Sequence, residues 1–228
     1  MKRTDSNLLA EINPNLLSDI KNTSGIAYLP LGTLEWHQHH LPFGVDSYIA
    51  YELCKRTVQQ TGGCVMPPIY FGTDREHQVD GKQLHGMDAK AGRILPGNFY
   101  FLKEDFFSKL LEQIIDNIAE QGLKKLVIVS AHSGTAQQRV IEKLKKDNRR
   151  NLEIVIFPGR LFAGGIDHAG AIETSYMLAI RPDLVDVSKL GEPPYEALIG
   201  DDPRQASAED GEKRLQETVE QIVGGVSK

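Results

Sequence analysis

The chain has 228 residues, 40% hydrophobic and 25% charged, a composition that suits one globular domain with a sizeable core. Its formal net charge of −5 argues against a general nucleic-acid or anionic-membrane surface. No window approaches the roughly 18 apolar residues of a spanning helix, and no apolar stretch follows the first seven residues as a signal peptide requires. A cytoplasmic protein is therefore expected.

In chain order, residues 26–31, 65–69, 126–129 and 154–157 are nearly continuous apolar runs, the pattern of parallel strands covered on both faces. Between the first two, Ile49, Ala50, Leu53, Cys54 and Thr57 form one helical face. Phe106, Phe107, Leu110, Leu111, Ile114, Ile115 and Ile118 form a stronger one, and Gly122 follows where a terminating glycine belongs. Val140, Ile141 and Leu144 mark a helix with a basic outer side, and Leu215, Val219, Ile222 and Val223 mark the last helix. Strands alternating with helices predict an α/β fold: three layers, with a mainly parallel sheet covered by helices on both faces. Two stretches fall outside the alternation. Residues 72–97 are polar and turn-rich, which fits a lid, a binding loop or a subunit contact. Residues 191–206, with three prolines, read as a surface excursion. Cys54 lies on a helical apolar face and Cys64 at a strand start, so two buried thiols are expected rather than a disulfide.

The first strand runs into the richest segment of the chain, where Glu35, His37, His39, His40 and Asp46 share one loop. Buried carboxylates and imidazoles must be paired, hydrogen-bonded or coordinated. Glu35-x-His37, with Asp46 nine residues beyond the histidine, offers the mixed oxygen and nitrogen donors that suit Zn, Mn or Fe, and one carboxylate can bridge two cations. A solvated histidine-rich turn is the competing reading. Three of the seven histidines within four positions, directly after a strand, favour the metal site, because open α/β sheets bind ligands at strand carboxyl ends.

Two further strands end in chemistry-bearing residues. Residues 126–129 lead into Ser130-Ala131-His132-Ser133-Gly134-Thr135, where small residues allow close approach by a metal or substrate. A serine-hydrolase role for Ser130 or Ser133 lacks its Gly-x-Ser-x-Gly elbow. After residues 154–157 comes Gly164-Gly165-Ile166-Asp167-His168-Ala169-Gly170, followed by Glu173-Thr174-Ser175. The Asp-His pair fits acid–base work or substrate polarisation, and Glu173 near a helix start is also an ordinary dipole partner.

Joined, the three segments resemble the creatininase (creatinine amidohydrolase) family. Its first motif reads here as Leu29, Pro30, Gly32, Glu35, His37, His40, Leu41, Pro42 and Asp46, with Gln38 where a glycine is usual. Its Gly-His-Gly-Gly-Asn turn corresponds to Ala131-His132-Ser133-Gly134-Thr135, and its His-(Ala/Gly)-Gly-x-x-Glu-Thr-Ser element to His168–Ser175. Glu76-His77 and Pro96-Gly97 match weaker positions.

The resemblance implies a creatininase-like hydrolase domain over residues 1–228 that binds two divalent metal ions, Zn, Mn or Fe. By carry-over Glu35 and His132 hold one cation, His37 the other, and Asp46 bridges them. Glu173 is a ligand of the second cation or its neighbour. His168 matches the family's catalytic histidine, a proton donor to a leaving nitrogen, with Asp167 as its orienting partner. The expected reaction is hydrolysis of a non-peptide C–N bond (amide, formamide or lactam) in a small polar substrate, in a homo-oligomer built as a hexamer from a trimer of dimers. A metal-dependent keto-sugar isomerase and a non-catalytic metal-binding relative are the alternatives. Creatinine itself is not expected, because Gly164 stands where creatininases carry a ring-covering tryptophan. Gly134 likewise replaces their glutamate ligand, and about fifteen residues are inserted between His77 and Pro96.

Overall fold

The computed structural model describes residues 7–227. Four strands form one parallel sheet: β1 (Ile26–Leu31), β2 (Cys64–Val65), β5 (Lys125–Ser130) and β6 (Glu153–Pro158), in the order β2-β1-β5-β6. A separate antiparallel hairpin pairs β3 (Glu76–Val79) with β4 (Lys82–His85). The helices are α1 (Pro14–Asn22), α2 (Val45–Thr61), α3 (Gly86–Ala91), α4 (Glu104–Glu120), α5 (Thr135–Asp147), α6 (Ala171–Ile180) and α7 (Ala208–Val226). The expected three-layer α/β architecture is what the chain adopts. None of the described helices is long and apolar enough to cross a membrane.

The continuity of the apolar runs follows from burial on both faces. Tyr28, Val127 and Val129 point into a core shared with α2, α6 and α7. Their neighbours Ala27, Leu29, Leu31, Leu126 and Ile128 point the other way, into a core with α1, α4 and α5. Successive side chains therefore alternate between two cores rather than between core and water. On α4, Phe107, Leu111, Ile115 and Ile118 face the sheet and are buried, each worth roughly 1.5–3 kcal/mol. Phe106, expected on that stripe, is instead 61% exposed, because the stripe centres one residue further along. Gly122 takes φ +79° after the last turn, as a terminating glycine should.

Two expectations are corrected. The second strand stops at Val65 rather than running to residue 69, because Pro67 and Pro68 bring no N–H to the ladder; Ile69 rejoins Leu31 as a single bridge. Residues 72–97 are not plain loop but hold the β3–β4 hairpin and α3. Cys54 and Cys64 are both free and buried, one in each core.

The register aligns Leu31 with Ser130 and Ser130 with Pro158, so three strands end at one edge of the sheet. The segments that leave this edge carry every candidate site residue.

Candidate metal centre

The loop after β1 brings Glu35 and His37 over this edge, and the first turn of α2 brings Asp46. Gly32 makes the approach possible, since a Cβ there would collide with the Ser47 backbone nitrogen. Gln38, at the position where the resemblance expects glycine, has φ +62°, the left-handed region that favours glycine. Its amide donates to the Glu196 carbonyl, which helps hold that conformation. The segment after β5 supplies His132, and the segment after β6, with the start of α6, supplies Asp167, His168 and Glu173.

These residues converge below the surface. Glu35, His37, Asp46, His132 and His168 are buried, and Glu173 is nearly so. His132 Nδ1 lies 2.9 Å from Glu35 Oε1 and 3.2 Å from Asp46 Oδ2. His37 Nδ1 donates to the Glu35 backbone carbonyl at 3.1 Å, which leaves Nε2 as the ring nitrogen that a cation could take in place of a proton. That Nε2 sits 3.6 Å from Asp46 Oδ1 and 3.4 Å from Glu173 Oε2. Two triads result, Glu35/Asp46/His132 and His37/Asp46/Glu173, and the donor atoms of each lie within 4.8 Å of one another. Asp46 belongs to both. Glu35, His37 and His168 form a third possible group.

The electrostatics show what this arrangement lacks. Burial pushes the Glu35 carboxyl up, against the pull of His132. Burial likewise lifts Glu173 to about 8, with His37 opposing and Asp46 and Asp167 adding to the rise. Burial opposes charge on His37, yet Glu173, Asp46 and Glu35 outweigh it and raise the imidazole to about 10. His132 is raised in the same way by Glu35 and Asp46. Burial disfavours the Asp46 carboxylate too, but its contacts to His132 and His37 win and hold it well below the usual range. Buried carboxylates are drawing positive charge onto their histidine neighbours. His37 Nε2 and His132 Nε2 nevertheless have no hydrogen-bond partner among the described residues. An orphaned imidazole nitrogen facing two carboxylates is the chemistry of a cation site. The donor set fits divalent metal.

His168 is set apart by its partners. Its Nε2 donates to the Trp36 carbonyl at 2.7 Å, so Nδ1 carries the lone pair, 3.9 Å from Glu35 Oε1. Burial and the neighbouring His37 hold its pKa well below the usual value, so the ring is neutral. Asp167 does not supply the orienting bond. Its Oδ2 accepts from Gly170 N at 3.0 Å and Glu173 N at 2.9 Å, fixing the start of α6 and with it Glu173. Burial raises Asp167 to about 6.

Two of the five groups in the first loop lie elsewhere. His39 is exposed and stands edge-on to Trp36 at 4.8 Å. His40 is buried against Thr174 Oγ1 at 2.9 Å, and burial lowers its pKa to about 4. Sequence reasoning missed three contributors. The Trp36 carbonyl orients His168 through its backbone, which no side-chain pattern reports. Asp74, with Oδ2 3.9 Å from His132 Nε2, and Arg75 line the cleft beside His77. Their only sequence signal is a charged cluster next to Glu76-His77. The cleft over the cluster measures about 320 Å³.

A family model described as creatininase, creatinine amidohydrolase, matches residues 10–226. The chain belongs to the creatininase family. The family is one of amidohydrolases, which act on C–N bonds. Creatinine amidohydrolase of Pseudomonas putida is 25% identical over 241 residues, covering 88% of each chain. A mycofactocin precursor peptide peptidase of Mycobacterium ulcerans is 28% identical over 194 residues, covering 80% of this chain and 69% of its own. The crystal structure of a creatinine amidohydrolase superposes with a TM-score of 0.74 at 22% identity, covering 98% of both chains. A mutant creatininase of Zn–Zn type and a Mn creatininase each superpose with a TM-score of 0.70, at 23% and 24% identity and with 98% and 97% of both chains covered. These structures show the fold that this creatininase-family chain shares. At Gly134, where the resemblance implies a glutamate in creatininases proper, a Cβ would collide with His132 Nε2. A side chain at Gly164 would run into Arg214.

Proposed function

We propose that the protein hydrolyses a non-peptide C–N bond, as in an amide, formamide or lactam, in a small polar molecule other than creatinine. The observation that carries this reading is the sharing of Asp46 between two buried triads. On this reading Glu35 and His132 hold one cation, His37 and Glu173 the other, and Asp46 both. When bound, paired divalent cations supply Lewis acidity and an activated water. The chain's own residues do the rest. His37 is fixed in its ligating tautomer by the Glu35 carbonyl, and Asp167 fixes Glu173 through its backbone. His168, neutral and aimed by Trp36, accepts a proton at Nδ1 as water adds to the substrate carbonyl. It then returns that proton to the departing nitrogen as the C–N bond breaks. Water thereby adds across the bond, one product taking the hydroxyl and the other the hydrogen. Gly164 leaves no aromatic face for a flat ring, which is why creatinine is set aside.

A homo-oligomer is part of the proposal. Ile94, 71% exposed near the end of the 72–97 stretch, and Phe99, 79% exposed two residues beyond it, support it.

The test is a screen of small amides, formamides and lactams, with keto-sugars and short peptides alongside, with added Mn²⁺ or Zn²⁺. Amine release supports the hydrolase, and epimerised sugar the isomerase. Cleavage of a short peptide alone would shift the reaction toward that named for the mycobacterial relative. No turnover of any of these points to a non-catalytic member.

A further inference from the structure

Ten arginines lie within the described residues. Seven of them, from Arg56 to Arg214, form ion pairs with carboxylates. Arg149 donates to the Lys146 and Asn148 carbonyls. The remaining two, Arg75 and Arg160, make no side-chain hydrogen bond or ion pair among the described residues, and both border the candidate site. Arg75 is the one lysine or arginine on the wall of the 320 Å³ cleft. Arg160 lines an adjoining recess of about 250 Å³, which shares Ser133, Thr135 and Ile166 with that cleft.

The backbone of Arg75 is held firmly while its side chain is left unpaired. Its N–H donates to Asp74 Oδ1 at 2.6 Å, and its carbonyl accepts from Gly86 N at 3.4 Å, closing the base of the β3–β4 hairpin. The adjacent Asp74 carboxylate thus takes the Arg75 backbone and not its guanidinium. A cation meant to neutralise the carboxylates of the site would be paired with one of them, as each of the seven other arginines is with a carboxylate elsewhere. A guanidinium with its donors open instead presents a planar fork that matches a carboxylate or phosphate.

We propose that the substrate carries an anionic group, a carboxylate or phosphate, which Arg75 binds at the hairpin side of the cleft. The inference rests on the hydrolase reading for what the bound molecule undergoes, and not for what is bound. Arg75 is then a residue that sets specificity, at the base of the β3–β4 hairpin.

The test separates binding from turnover. Metal-loaded wild type, R75Q, R75K and R160Q are titrated by calorimetry with levulinate and with its neutral methyl ester. These probes carry a carbonyl but no C–N bond. Inorganic phosphate is titrated as the second anion. Wild type is expected to bind one or both anions at least tenfold more tightly than the ester. R75Q should lose roughly 10- to 100-fold of that preference, as expected for a hydrogen bond to a charged group. R75K should retain part of it, and R160Q all of it. The preference should also weaken with added salt, because Arg75 is exposed. The stronger anion identifies carboxylate or phosphate. Equal binding of acid and ester, no binding of either anion, or an R75Q variant that keeps the preference overturns the proposal; so does loss in R160Q alone. N-formylglycine and N-formylglycinamide are then offered as substrates. If neither these nor any member of the amide, formamide and lactam screen is cleaved while Arg75-dependent binding persists, the hydrolase reading is what has failed.

Discussion

Replacing Asp46 by asparagine keeps the shape of the side chain and removes its charge, which isolates the role of the shared carboxylate. Asp46 is 2% exposed and touches both triads. Without the carboxylate the proposed cations retain Glu35 with His132, and His37 with Glu173, and the single neutral amide oxygen of asparagine can serve only one of them. At least one cation then falls below the three protein ligands that catalytic zinc sites keep. Wild type at a free metal concentration a hundred times its dissociation constant should gain about 2.7 kcal/mol, which for a domain of roughly this size is a rise of about 5–11 °C in Tm. The assay is a thermal melt with and without added Zn²⁺ or Mn²⁺, paired with elemental analysis after dialysis. The quantity compared is the metal-induced rise, because Asp46→Asn also removes a buried partner of His37 and His132 and lowers the starting Tm. A variant that keeps the wild-type rise and the wild-type metal content would refute the shared-ligand reasoning.

His168→Ala should keep its metal and lose about 10²- to 10⁴-fold in turnover; loss of metal in the same variant would show that the ring is a ligand and not the proton carrier. His40 gives a pH dependence whose sign is fixed. Its folded pKa of about 4 lies below the ordinary value of about 6.5, so its contribution is complete above pH 6.5 and is lost as pH falls toward 4. Urea midpoints across that window should fall less steeply for His40→Gln than for wild type, and parallel slopes would contradict the assignment. Phe99→Asp should dissociate the oligomer, read as mass by light scattering, whereas a wild-type monomer at micromolar concentration removes the proposal. Creatinine turnover near the typical enzyme rate of about 10 s⁻¹ would overturn the specificity argument from Gly164.

What was legible in the sequence depended on how each element earns its stability. β1, β5 and β6 could be read because burial on both faces leaves an unbroken apolar run, and α4 because its stripe repeats over four turns and ends at Gly122. The β3–β4 hairpin could not. Leu84 is the one fully buried residue in it, so no alternation of apolar and polar residues announces a strand. The donors of the candidate centre were legible as residue types, from Glu35 to Glu173. Their convergence is a consequence of parallel register, which brings the ends of β1, β5 and β6 to one edge, and the resemblance supplied it where spacing could not. Asp167 shows the limit of reading pairs of neighbours. Adjacency to His168 suggested a partner, yet the chain turns so that its carboxylate reaches two backbone N–H groups at the start of α6.

The two free cysteines have a use that follows from where the sheet places them. Cys54 lies in the layer of α2, α6 and α7, whereas Cys64 lies on the two-residue edge strand in the layer of α1, α4 and α5. Burial raises both thiols, Cys64 to about 11, so neither offers thiolate to a reagent while its layer stays closed. Each is a clock for one half of the molecule. In single-cysteine variants, the labelling rate at Cys64 times the opening of the edge, and that at Cys54 times the loss of the opposite layer. Equal rates would mean that the two halves come apart together, and a faster Cys64 that the sheet unzips from its short edge.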